Sequence, residues 1–200
     1  MTSVFSDLFL SIYRYLGFGI LFAVIAMIAL PSIEEKGLRK TFKELAVKLR
    51  SDHLHLCRFI FFIFLFMILS RTLICRNIWF CPWENVIGEW RLLNSDNELN
   101  VEVAENLILF VPLTTFGLFS GFQKIDDMSN RQLFICGLKW SFGFTLFIEC
   151  CQLFLRLGTF QFSDIAQNTA GGGLGCIIYI LVKAIQNRWN DNGRKNNRKK

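Results

Sequence analysis

Long apolar runs, more than any single motif, limit what this chain can fold into. A helix crosses the hydrocarbon core of a bilayer with about 20 predominantly apolar residues. Five stretches reach or approach that length: Tyr15–Ile33, Leu56–Cys75, Val103–Phe122, Leu133–Leu157 and Ile165–Ile185. Only 19% of the chain is charged and 52% is apolar, with 22 phenylalanines, whereas a soluble domain carries roughly a quarter charged residues. The second run holds Arg58 and Arg71 near its ends, where both can snorkel to opposite interfaces. Asp7 is the one charge before Arg14, so the first run lacks the basic leader of a cleaved signal and is expected to be a span. The fold class expected is an all-α integral membrane protein of about five transmembrane helices.

The net charge of +6 does not point to nucleic acid, because it is sorted by loop. Lys36, Arg39, Lys40, Lys43, Lys48 and Arg50 separate the first two runs, and Arg188, Arg194, Lys195, Arg198, Lys199 and Lys200 follow the last. The segment between the second and third runs is acidic, with Glu84, Glu89, Asp96, Glu98 and Glu102 against Arg91. Positively charged loops stay inside, which places the N-terminus outside and the C-terminus inside. Three regions follow: residues 1–74, two helices with a basic segment between them; 75–187, three helices; and 188–200, a basic tail expected to be disordered.

Within the basic segment, Leu38, Phe42, Leu45 and Leu49 share one helical face. They predict either a helix on the inner membrane surface, attracted to anionic lipid, or an ordinary basic loop. His53 and His55 form an HxH pair, but no nearby Cys or carboxylate completes a metal set, and they are expected to be interfacial. Neither a CxxC pair nor a Cys/His zinc spacing occurs among the seven cysteines. Cys75 and Cys81 both fall on the outer side and could form a disulfide, a pairing that needs Cα atoms within about 7 Å and that sequence leaves open. The outer segment Arg76–Glu102 is rich in aromatics, including Trp79, Phe80, Trp83 and Trp90, and is expected to lie on the membrane surface.

Polar side chains inside a membrane are costly and need a reason. The fourth run contains Glu149, Gln152 and Arg156, which a helix of 100° per residue confines to an arc of about 60°. The fifth begins with Ser163 and Asp164 and carries Asn168; Asp164, Asn168, Gly171 and Gly175 share a face. The third begins with Glu105 and Asn106 and contains Pro112, whose freed carbonyl Thr114 or Thr115 could help satisfy. The assigned topology puts all of these ends outside, although it used only Lys and Arg in loops. The candidate site is therefore a ligand-binding pocket of Glu149, Gln152, Arg156, Asp164, Asn168 and Asn106, with no catalytic residue, metal or cofactor assigned. The plain alternative is structural: Asp164 as a helix N-cap with Gln167 completing the box, Glu149 and Arg156 neutralising each other, and Gln152 and Asn168 bonding helices together. Gly171 and Gly175 form a GxxxG spacing that suits close helix packing and a possible homodimer seam.

At these residues the chain resembles the VanZ-like family of bacterial membrane proteins. The resemblance lies in ENLILFVPL of the third run, SFGFTLFIECCQLFLRLG of the fourth and FSDIAQNTAGGGLG of the fifth. NIWFCPWENVIG of the outer segment adds to it, so that it covers roughly Cys75 to Ile185. Two positions depart from the family: Gln161 stands where the first of two acids is often found, and Thr114 follows Pro112-Leu113 where the family has Gly. The first departure argues against carboxylate-pair or metal chemistry. The family is named for a protein that lowers susceptibility to teicoplanin, a glycopeptide that binds the cell-wall precursor outside the membrane. The resemblance thus implies a multi-pass protein of the bacterial plasma membrane. It would be surrounded by membrane lipids and would bind a lipid-linked cell-wall precursor or glycopeptide at the outer leaflet. The alternative is a membrane hydrolase or transferase acting on a polyprenyl-phosphate-type lipid, with Glu149 as general base. A transporter is disfavoured by the absence of an inverted repeat.

Overall fold

The computed structural model describes residues 2–30, 38–93, 100–122, 125 and 127–197. Among them every regular element is helical: α1 (Thr2–Ala29), α2 (Leu38–Ser51), α3 (His53–Leu69), α4 (Val101–Phe119), α5 (Asn130–Leu155) and α6 (Phe162–Asn197). The last turn of α3 widens into a π-helical turn at Ser70–Ile74. Four segments are long and apolar enough to cross a membrane, namely His53–Ile74, Val101–Phe119, Asn130–Leu155 and Phe162–Trp189. A fifth, α1, is apolar over Tyr13–Ala29. This is the all-α, roughly five-span membrane protein expected from the apolar runs. The side of the membrane is a separate matter. Below, the end of the bundle carrying the 75–93 segment is the loop end, and the end from which α6 runs on to Asn197 is the tail end.

Helices in lipid gain little from burying apolar surface, so close packing has to hold them together. Here α1 lies on α3, α3 on α4, and α6 sits between α4 and α5. The α1–α3 contact is aromatic, with Phe22 against Phe66 (ring centroids 5.2 Å apart) and Phe62 (6.3 Å). The α4–α6 contact is backbone-close. A Cβ on Gly171 would stand 2.4 Å from the Leu107 carbonyl oxygen, and one on Gly175 would stand 2.5 Å from that of Val111. The GxxxG face considered above as a homodimer seam is therefore filled by α4 of the same chain. On the other side of α6, a Cβ on Gly172 would meet Ser141 Oγ of α5 at 1.9 Å.

The basic segment is helical, and Leu45 seats against Met27 of α1, both buried. Phe42 turns away from the bundle, half-exposed. Asp52 caps α3 by accepting the Leu54 N–H at 2.9 Å. His55, expected at the interface, is buried with Nδ1 against the Asp52 carboxylate. The basic tail from Arg188, expected to be disordered, continues α6 to Asn197. Adding residues to an existing helix costs no new nucleus, and polarity alone does not stop it. Pro112 lies within α4, but the hydroxyls beside it serve other bonds. Thr115 Oγ1 donates to Val111 O (2.8 Å) and Gly175 O (3.0 Å), while Thr114 faces Ser141 Oγ at 3.1 Å.

Candidate functional site

At the loop end, α4, α5, α6 and the π turn after α3 bring their polar residues together. Glu149 is 2% exposed, and its carboxylate accepts the Gln161 backbone N–H at 2.8 Å. Helix α6 starts at Phe162, two residues before Asp164, so Asp164 sits inside the first turn and not at the N-cap. From there it accepts a bond from Asn106 Nδ2 at 2.9 Å. Asn106 also donates to Gln167 Oε1 at 3.0 Å, and Gln167 Nε2 donates to the Glu89 carbonyl at 2.6 Å. Asn168 Nδ2 donates to Thr145 Oγ1 at 2.9 Å, and Gln152 Nε2 to the Thr72 carbonyl at 3.0 Å.

Five of the six candidate residues line one cavity: Glu149, Gln152, Asp164, Asn168 and Asn106. Its volume is about 20 Å³, room for a single water molecule. Arg156 stands apart from it. Helix α5 ends at Leu155, and Arg156 is the left-handed cap (φ 55°) with its side chain exposed. The positive charges at the cavity are instead Arg71 and Arg76. Arg71 pairs with the buried carboxylate of Glu105 through Nη2, while its Nη1 is buried with no hydrogen-bond partner among the described residues. Glu149 thus has no contact with Arg156 of the kind the structural alternative required, and its direct partner is a backbone N–H. Gln161, the position that departs from two-acid members of the family, supplies that N–H.

The 75–93 segment covers the cluster. Its backbone is stitched to the α5–α6 turn by Trp79 N–H to Arg156 O (2.6 Å), Phe160 N–H to Pro82 O (3.0 Å) and Phe162 N–H to Val86 O (2.9 Å). Gly88, at φ 73°, permits the closest approach, since a Cβ there would stand 1.9 Å from Ser163 Oγ. The aromatic side chains of this segment are largely exposed, Phe80 at 89% and Trp83 at 65%, with the Trp83 ring 6.5 Å from that of Phe160. Cys75 and Cys81 are free, exposed thiols. Among the described residues, no group of three or more His, Cys, Asp or Glu side chains could hold a metal ion.

A sequence model of a known family, VanZ/LLP1, matches residues 18–183. The chain belongs to the VanZ family. No curated protein and no solved structure matches it. The VanZ match begins within α1 and ends within α6, so it takes in more of the chain than the motifs between Cys75 and Ile185 did.

The VanZ cluster offers specific chemistry. Arg71 and Arg76 supply charge-assisted donors, and carboxylate and amide oxygens supply acceptors, all within an apolar bundle that strengthens each contact. Several of these groups lay outside the six candidates. Arg71 and Glu105 stand at span ends in the sequence, Gln167 falls in a cap pattern, and Arg76 carries no motif of its own.

Proposed function

We propose that this VanZ-family protein sits in the bacterial plasma membrane with the loop end outward. There it binds a lipid-linked cell-wall precursor or a glycopeptide without chemical change, lowering susceptibility to teicoplanin. The observation that carries this reading is the shared cavity of Glu149, Gln152, Asp164, Asn168 and Asn106 beneath the 75–93 segment. Intramembrane ionisable groups gathered at one depth mark a functional site more often than a packing device. In this reading Arg71 and Arg76 take the anionic part of the ligand. A head group larger than water enters when the covering segment lifts off the α5–α6 turn. The loop-outward orientation follows from the Lys and Arg of the opposite side.

A second reading, a hydrolase or transferase for polyprenyl-phosphate-type lipids, draws on the water-sized space beside the Glu149 carboxylate. Purified protein incubated with a polyprenyl pyrophosphate distinguishes the two: a released phosphate product supports catalysis, and unchanged lipid supports binding alone. The binding reading itself is tested by teicoplanin susceptibility of cells expressing wild type or Glu149→Ala. Wild type should lower susceptibility and the variant should not. Equal susceptibility of both and of cells with neither, with both proteins in the membrane, would sink it.

A further inference from the structure

The tail-end half of the bundle holds a second, larger cavity of about 150 Å³ between α3, α4 and α5. Its walls are Phe61, Gly117, Leu118, Phe122, Gly137 and Trp140. Thr114 also lines it, but the Thr114 hydroxyl is taken up by Ser141 Oγ. An apolar void of this size stays dry and takes up hydrocarbon. Its shape is set by aromatic contacts, with Phe61 5.6 Å from Phe122 and 6.3 Å from Trp140 between ring centroids. Gly117 keeps it open, since even a Cβ there would stand 3.3 Å from the Phe61 ring. Phe122 is 45% exposed, so this wall borders the surrounding lipid.

A cation stands at the same wall. The Arg58 guanidinium lies 5.3 Å from the centre of the Phe122 ring, and its Nε donates to the Ser120 carbonyl at 2.8 Å. Arg58 is in the second turn of α3, near the tail end. An apolar slot between spans, with a fixed guanidinium beside its exposed wall, matches a molecule that joins a hydrocarbon chain to an anionic head. We infer that this slot binds one acyl chain of an anionic phospholipid, with the phosphate at Arg58. The site is separate from the polar cluster and does not depend on what that cluster binds.

Trp140 is the probe. The full chain, with Trp79, Trp83, Trp90 and Trp189 replaced by Phe, is placed in phosphatidylcholine nanodiscs with increasing phosphatidylglycerol whose acyl chains carry bromine, a contact quencher. Quenching should saturate at low phosphatidylglycerol, with about fivefold preference over brominated phosphatidylcholine, the worth of one Arg near an anionic head group. Arg58→Gln should remove the preference, and Gly117→Leu should abolish the saturable component. Quenching that rises in proportion to brominated lipid, equally for both head groups and in both variants, overturns the site. If Gly117→Leu does not fold, Arg58→Gln decides: loss of the preference supports the site, and an unchanged preference overturns the role of Arg58 and with it the inference.

Discussion

Around Asn106, Glu149 and Asp164, helices α4, α5 and α6 meet through carboxylates and amides, with bonds reaching up into the 75–93 segment. Nearer the tail end, around Thr114 and Trp140, the same helices meet through one pair of hydroxyls, the Thr115 bond to the Gly175 carbonyl and a set of rings beside a void. The chain does not change its secondary structure between these halves; it changes what fills the space between helices. Close packing through Gly171, Gly172 and Gly175 runs through the middle and serves both. The contrast separates what holds the bundle together from what a ligand could use. Backbone proximity does the first, and the surplus of polar groups at the loop end is more than the first requires.

That division can be broken by substitution. Gly171→Leu should have the largest effect, because its side chain would run into the Leu107 carbonyl. A loss of about 3 kcal/mol is expected from such overpacking, read as the midpoint of unfolding when mixed micelles are titrated with a denaturing detergent. A tolerated leucine would show that α4 and α6 are held by something else. Asn106→Leu removes bonds to both Asp164 and Gln167. It should cost about 1–2 kcal/mol, since each interhelical side-chain bond in a membrane averages roughly 0.6. Thr114→Val, which removes the hydroxyl pair of the tail half, should cost about 0.6 kcal/mol in the same titration. If it costs as much as Asn106→Leu, the two halves are not different in kind. Arg156→Gly should change stability least, raising it by roughly a few tenths of a kcal/mol. Glycine occupies the left-handed cap without the Cβ penalty but loses more freedom on folding. A clear destabilisation would mean that the Arg156 side chain is engaged after all.

How far the sequence foretold this follows the same physics. Apolar runs report spans directly, because lipid demands them along the whole length of a helix. Loop-end placement of Asn106, Glu149 and Asp164 could be read from charge sorting. Arg71 was harder, because the π turn at Ser70–Ile74 changes the angle per residue, so counting at 100° does not aim its side chain at Glu105. Arg156 looked equivalent to Glu149 and Gln152 by periodicity, but the helix ends one residue before it. The cover was not legible at all: it is built from backbone N–H and carbonyl groups, which every residue carries. GxxxG spacing marked close packing correctly while leaving open which helix would occupy it.

Stability alone cannot tell a binding site from interhelical glue, so the decisive substitution is one that spares the fold. In Glu149→Gln the amide oxygen can still accept the Gln161 N–H, while the negative charge is gone. The measurement is teicoplanin susceptibility of cells carrying wild type or Glu149→Gln at equal membrane levels and with equal unfolding midpoints. The binding account predicts that the variant loses the protection that wild type confers. Full protection by Glu149→Gln would contradict it and leave the carboxylate as a packing element.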